Sequence, residues 1–137
     1  MPTYGYEYEV TVYAQNQYTY DILWTFNPGY AWPLAAQYGV TPSRNTAGEM
    51  FFTYTPTGTS TAPLSGASAL LAATAASVYA DTYNSHLTFN LVDWPDAASV
   101  AQKIALAKKL GVRGIAIFKL DGGQDPNIWN VLKGVKQ

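Results

Sequence analysis

The chain has 137 residues, 48% of them hydrophobic and 12% charged, with a net charge of −1. This is the length of one domain with enough apolar material for a core, so compositional disorder and the strongly basic footprint of a nucleic-acid binder are both excluded. Cysteine is absent and His86 is the only histidine, so disulfides, thiolate metal sites and multi-histidine metal centres are excluded too; no metal and no cofactor is expected.

Residues 3–13 alternate, with Tyr4, Tyr6, Tyr8, Val10 and Val12 on one side and Gly5, Glu7, Glu9, Thr11 and Tyr13 on the other. A period of two in Tyr, Val and Thr predicts a strand. Gln15-Asn16-Gln17 is a polar turn and Tyr18 to Phe26 a second strand, so the two form a hairpin. Asn27-Pro28 starts a helix through Trp32, Ala35 and Ala36, with Pro33 late for a first-turn proline and Gly39 as its stop. Thr41 to Ala47 reads as a loop and 49–55 as a strand. Pro56 to Pro63 is a Thr/Gly/Pro linker. An Ala-rich helix follows near 66–82, too short in its apolar part and too rich in Ser, Thr and Gly to cross a membrane. Residues 86–92 alternate again as a strand, and Asp93-Trp94-Pro95-Asp96 ends it and caps the next helix.

That helix presents Val100, Ile104, Ala107 and Leu110 on one face and Gln102, Lys103, Lys108 and Lys109 on the other. Gly111-Val112-Arg113-Gly114 breaks it. Ile115 to Leu120 is apolar almost throughout, as in a parallel strand covered on both faces. Charge divides along the chain: residues 1–100 hold one basic and seven acidic residues, and 101–137 hold seven basic and two acidic. The basic set reads as the wet faces of the last two helices.

Taken together, the helix from Asp96, the run Gly114-Ile115-Ala116-Ile117-Phe118 and the loop Asp121-Gly122-Gly123-Gln124-Asp125-Pro126 resemble the closing segment of the family 18 glycoside hydrolases, which are chitinase-like TIM barrels. Pro2-Thr3-Tyr4-Gly5-Tyr6-Glu7-Tyr8 looks like the Pro-x-Tyr-Gly end of that family's seventh barrel strand, in wording closer to its spore-germination and cell-wall glucosaminidase branch. The resemblance implies a single α+β chain. Within it, 7–95 stand as an insertion-like region with a mostly antiparallel sheet and helices. Residues 1–6 and 96–137 supply the last β/α units, about a quarter of a TIM-type barrel.

The same resemblance implies substrate contacts at Tyr4, Tyr6, Phe118 and Asp121. Tyr6 stands where many members have Arg, and Phe118 where most have a Trp that floors a sugar subsite. The alternation that makes Tyr4 and Tyr6 stacking surfaces also suits plain strand packing, and Phe118 suits a core as well as a sugar. The family's catalytic acid lies in Asp-x-x-Asp-x-Asp-x-Glu, which does not occur in this chain. The paired carboxylates around Asp93 and Asp121 read as caps and first-turn acids. No catalytic residue is therefore expected. Family 18 chemistry is substrate-assisted and needs one strong general acid.

Three functions remain open. One is a glycosidase fragment with residual N-acetylglucosamine-type glycan contacts, associating with the missing barrel portion or with itself. The second is a free-standing carbohydrate- or cell-wall-binding module, and the third a self-assembling structural protein. Nucleic acid and membrane are not expected partners. The location implied by the resemblance is extracellular or at the cell wall.

Overall fold

The computed structural model describes residues 1–56, 69–119 and 122–135, with the side chains of 69–73 outside that description. Its centre is a five-stranded antiparallel sheet. The strands are β1 (Gly5–Ala14), β2 (Gln17–Phe26), β3 (Ser43–Arg44), β4 (Met50–Tyr54) and β5 (Leu87–Trp94), in the order β2-β1-β5-β4-β3. The α+β class and the antiparallel sheet expected from the alternating runs are both present. Gln15 and Asn16 close the β1–β2 hairpin, and Asn16 takes the left-handed conformation (φ 60°) that Asn accepts more readily than most residues. The Thr41–Ala47 stretch expected as a loop contains the short edge strand β3.

Helices lie on both faces of the sheet. After β2, a 3-10 turn (Pro28–Tyr30) leads into α1 (Ala31–Gln37). Because α1 begins only at Ala31, Pro33 falls in its first turn, where no intrahelical partner exists for a backbone N–H, and the proline is tolerated. Gly39 (φ 62°) then ends α1, as expected, while Val40 N–H donates back to the Ala35 carbonyl. Leu34, Ala35 and Val40 pack on Phe26, Phe52, Tyr54, Val92 and Trp94. The other face is covered by α2 (Ala69–Tyr83), which lies across β1, β5 and β4 and sets Ala76 and Tyr79 against Val12, Leu87 and Phe89. Nothing described covers β2: Gln17 to Thr25 are all exposed.

A carboxylate sits inside the first face. Glu7 is 4% exposed and accepts hydrogen bonds from Trp24 Nε1 (2.7 Å) on β2, Asn90 Nδ2 (2.8 Å) on β5 and the Tyr54 hydroxyl on β4. Burial, and then the bond to Glu7, raise the Tyr54 hydroxyl well above its ordinary pKa, so it stays a donor.

Past the sheet, α3 (Ala97–Lys109) starts at Asp96, which accepts from the Ser99 N–H (2.8 Å) while Ser99 Oγ reaches back to the Asp96 N–H, a capping box. The capping role expected for Asp96 is thus present. Arg44 clasps the same carboxylate with both guanidinium nitrogens (3.0 and 2.6 Å), and Lys103 pairs with Glu49. These contacts fasten α3 to the β3–β4 turn. Burial opposes ionisation of Asp96, but Arg44 and the Ser99 amide and hydroxyl outweigh it and hold the carboxyl down at about 2. α4 (Ile128–Lys133) buries Ile128 against Val100 and Ile104.

The run 115–120 departs from the expected strand. Its described part forms one isolated parallel bridge, Pro2 with Phe118. Ile115 and Ile117 are half-buried, whereas Ala116, Phe118 and Lys119 are exposed; Leu120 lies outside the described residues. The reason is pairing: only residues 1–3 lie alongside the run, so nothing described covers its second face or second edge.

Removing the Glu7 acceptor leaves the Trp24 and Tyr54 donors without their acceptor and Asn90 Nδ2 with the Tyr54 hydroxyl alone. Glu7→Ala is expected to cost about 3 kcal/mol and Glu7→Gln less, read as a lowered urea midpoint at unchanged slope; an unchanged midpoint for Glu7→Ala would show that the network holds nothing together.

Candidate functional site

Two pairings, from opposite ends of the chain, build a cleft. Thr3 N–H donates to the Phe118 carbonyl (2.8 Å) and Phe118 N–H to the Met1 carbonyl (2.9 Å), while the Thr3 hydroxyl bonds the Lys119 carbonyl. The Phe118–Lys119 peptide is cis. The hairpin register sets Gly5 opposite Phe26 and so brings Thr25, Phe26 and Asn27 beside Tyr4. The result is a cleft of about 420 Å³ lined by Tyr4, Thr25, Phe26, Asn27, Phe118 and Lys119. A further bond, from Gly29 N–H to the Gly123 carbonyl (2.6 Å), holds the loop after the bridge against the 3-10 turn.

Gly5 is required between Tyr4 and Tyr6. A Cβ there would lie 2.5 Å from the Asp93 carbonyl oxygen and 2.5 Å from the Phe26 ring. The backbone oxygen cannot yield, so no side chain fits.

Of the expected site residues, three come together. Tyr4 and Phe118 meet edge to face with ring centroids 6.1 Å apart, and Tyr6 follows Tyr4 at 5.3 Å, its hydroxyl donating to the Tyr4 hydroxyl (3.1 Å). That hydrogen bond, and then burial, raise the Tyr6 hydroxyl above its usual pKa. Phe118 is 65% exposed, so it presents a ring to solvent and is not a core residue. Asp121 lies outside the described residues. Thr25, Phe26, Asn27 and Lys119 were missed from the sequence, although the hairpin implied the first three: a strand returning from a tight turn must end beside the start of its partner.

Asp93 is not the cap that the sequence around it predicts. β5 runs on to Trp94, so Asp93 is a strand residue paired with Tyr6 on β1 and Phe51 on β4. Burial, and then the Glu49 charge, push its carboxyl up from 3.8 to about 6; the Tyr6 backbone N–H and Lys103 pull the other way. Burial, and then Asp93, also push the Tyr8 hydroxyl to about 12. Asp125 does act in a capping role. It accepts from Asn127 N–H and from Ala97 N–H, both at 2.9 Å, linking the starts of α4 and α3. Among the described residues no cluster of three or more His, Cys, Asp or Glu side chains could hold a metal, and no helix is long and apolar enough to cross a membrane.

No family model and no curated protein matches the chain. Solved structures do match in fold. The spore cortex-lytic enzyme SleL of Bacillus megaterium QM B1551 aligns with a TM-score of 0.58 and 23% identity over 100% of this chain and 24% of that one. The C-terminal domain of a provisionally designated chitinase from Desulfitobacterium hafniense DCB-2 aligns with a TM-score of 0.63 and 18% identity over 98% and 33%. SleL of Bacillus cereus aligns with a TM-score of 0.56 and 20% identity over 97% and 24%. The chain therefore spans a quarter to a third of the length of the solved structures it matches, and shares the α+β fold of that portion.

Asp93 has a signed consequence for stability. In the unfolded chain it ionises near 3.8 and in the folded chain near 6. Its ionisation thus weakens the fold as pH rises from about 4 through 6, and has no such effect below 4. Asp93→Asn is expected to leave stability nearly unchanged at pH 4 and to raise it by about 2 kcal/mol at pH 8. Urea melts of both proteins at the two pH values check this; an equal effect at both would remove the titration as its cause.

Proposed function

We propose that this chain is the C-terminal, barrel-closing part of a family 18-type glycoside hydrolase. Residues 7–95 form its insertion region, and residues 1–6 with 96–137 form its last barrel units. In this reading the chain holds an N-acetylglucosamine-containing glycan at Tyr4, Tyr6, Phe118 and Asp121, carries no catalytic acid of its own, and works at the cell wall or outside the cell alongside further barrel strands. The observation that carries the reading is the parallel pairing of residues 1–3 with 118, which joins Tyr4 and Phe118 in one cleft. A parallel bridge beside site residues is the pairing that two adjacent barrel strands would extend. The fold likeness to a cortex-lytic enzyme and a chitinase domain supports the substrate class.

The chemistry of the cleft agrees with sugar binding. An aromatic ring offers its face to the C–H groups of a pyranose, and the Tyr4 hydroxyl and the Asn27 side chain offer partners to its hydroxyls. A cleft formed from so few strands grips weakly, on the order of millimolar or about −4 kcal/mol. A second reading, self-association, is supported by β2. It is a ten-residue edge strand without Lys or Pro that exposes Tyr18, Ile22 and Trp24, the open pairing surface that recruits another chain.

The purified chain is expected to bind N-acetylglucosamine oligomers weakly and to release no chromophore from a chromogenic N-acetylglucosaminide. In an NMR titration, shifts should centre on Tyr4 and Phe118, and Tyr4→Ala or Phe118→Ala should weaken binding several-fold. Absence of shifts at these residues at high sugar concentration would leave the self-association reading, which light scattering then tests.

A further inference from the structure

The tyrosines do not stop at the cleft. Tyr4, just before β1, is followed by Tyr6 and Tyr8 on one side of that strand, and their rings form a chain with residues from elsewhere. Successive centroids from Phe118 through Tyr4, Tyr6 and Tyr8 to Tyr20 are 6.1, 5.3, 5.7 and 6.0 Å apart. Tyr20 enters from β2 because it pairs with Val10, one step along the same face from Tyr8. Core packing does not account for the series, since its two ends, Phe118 and Tyr20, are 65% and 60% exposed. Beyond Tyr8 the surface opens into a groove of about 690 Å³ between the sheet and α2, floored by Val10, Phe89 and Leu91 and edged by Asp81 and Asp93.

We propose that this aromatic track and the groove it enters are an extended binding path for a linear, uncharged glycan, running from the Phe118–Tyr4 cleft across the sheet to Tyr20. The inference rests on the cleft reading above and adds two properties to it, a length and a charge preference. Successive rings are turned against one another by 84°, 64°, 30° and 76°, so along the path a sugar chain meets ring faces, ring edges and hydroxyls in turn. The polar groups along it suit a polyhydroxylated ligand: the tyrosine hydroxyls donate and accept, and the two carboxylates accept. Charge selects among such ligands. No described residue lining the groove is basic, and Asp81 and Asp93 border it, so a glycan bearing carboxylates meets like charge without a counter-ion. A neutral polymer of N-acetylglucosamine meets none.

The test is a titration of the full chain at pH 7 with the dimer, tetramer and hexamer of β-1,4-linked N-acetylglucosamine, and with a glycan of matched length whose alternate sugars carry a lactyl carboxylate. The track predicts about 3-fold tighter binding for each further ring engaged, so that the hexamer, which reaches five rings where the dimer reaches two, exceeds the dimer by about 30-fold. Tyr20→Ala, at an exposed position where the fold has little to lose, should cut the hexamer's advantage about 3-fold, while the dimer, which does not reach Tyr20, serves as the reference. Phe118→Ala should weaken every length. The carboxylated glycan should bind several-fold more weakly than the neutral one, and Asp81→Asn with Asp93→Asn should narrow that gap. A hexamer no tighter than the dimer, or an advantage undiminished by Tyr20→Ala, overturns the track and leaves the cleft standing. Equal binding of the carboxylated glycan overturns the charge preference. Absence of shifts at Tyr4 and Phe118 with every oligomer overturns the cleft reading, and the track with it.

Discussion

The Glu7 carboxylate is the constraint on which the rest of the sheet depends. It stands on β1 and takes donors from β2, β4 and β5, so a single acidic side chain ties four of the five strands. An ionised group inside an apolar layer is tolerated only when its lone pairs are met. Three donors at fixed positions meet them, and those positions exist only in one strand register. A one-residue slip of β1 would turn Glu7 to the other face and leave Trp24, Tyr54 and Asn90 without their acceptor. The hydrophobic clusters on the two faces hold the layers together, while the carboxylate specifies how the strands align.

That register also places the candidate site. Because Gly5 is locked opposite Phe26, with the Asp93 carbonyl and the Phe26 ring filling the space where a side chain would be, Tyr4 emerges beside Asn27 at the margin of the sheet. The chain before it is then delivered to Phe118. At the opposite margin, Arg44 and Lys103 fasten α3 to the β3–β4 turn through Asp96 and Glu49. The two attachments are of different kinds: backbone pairing at residues 1–3, and charged clasps at α3. Between them the α3–α4 unit is held on the sheet, and the Phe118 ring is held against Tyr4.

Two half-hidden acids illustrate how surroundings divide one chemistry. Asp96 has a guanidinium and two Ser99 donors and is kept ionised far into acid, whereas Asp93 has burial and a like charge at Glu49 and holds its proton to about 6. Glu7, deeper than either, is matched by three donors. Asp93 is the one left poorly compensated, and it is also the one bordering the tyrosine track.

The sequence by itself determined the local pieces. Alternation marked β1, β2, β4 and β5, the Ala-rich and amphipathic spacing marked α2 and α3, and Asp96 and Gly39 marked a start and a stop. These signals are short-range: a strand's period, a cap's hydrogen bond and a glycine's positive φ are set within a few residues. Tyr4, Tyr6 and Tyr8 were visible for the same reason. What the tertiary structure alone decided was what covers each face and which distant segments touch. Glu7 lies on the side of β1 that alternation marked as polar, and it is buried only because the face that side belongs to is covered by α1. Asp93 had the look of a cap because Pro95 and Asp96 follow it, but pairing with β1 and β4 carries the strand through it. The run from Ile115 had the composition of a covered strand, yet its described residues gain one bridge, since a strand needs neighbours and composition does not provide them. Phe118 and Tyr20 join Tyr4 and Tyr8 across long stretches of chain, through pairing registers that no local pattern encodes.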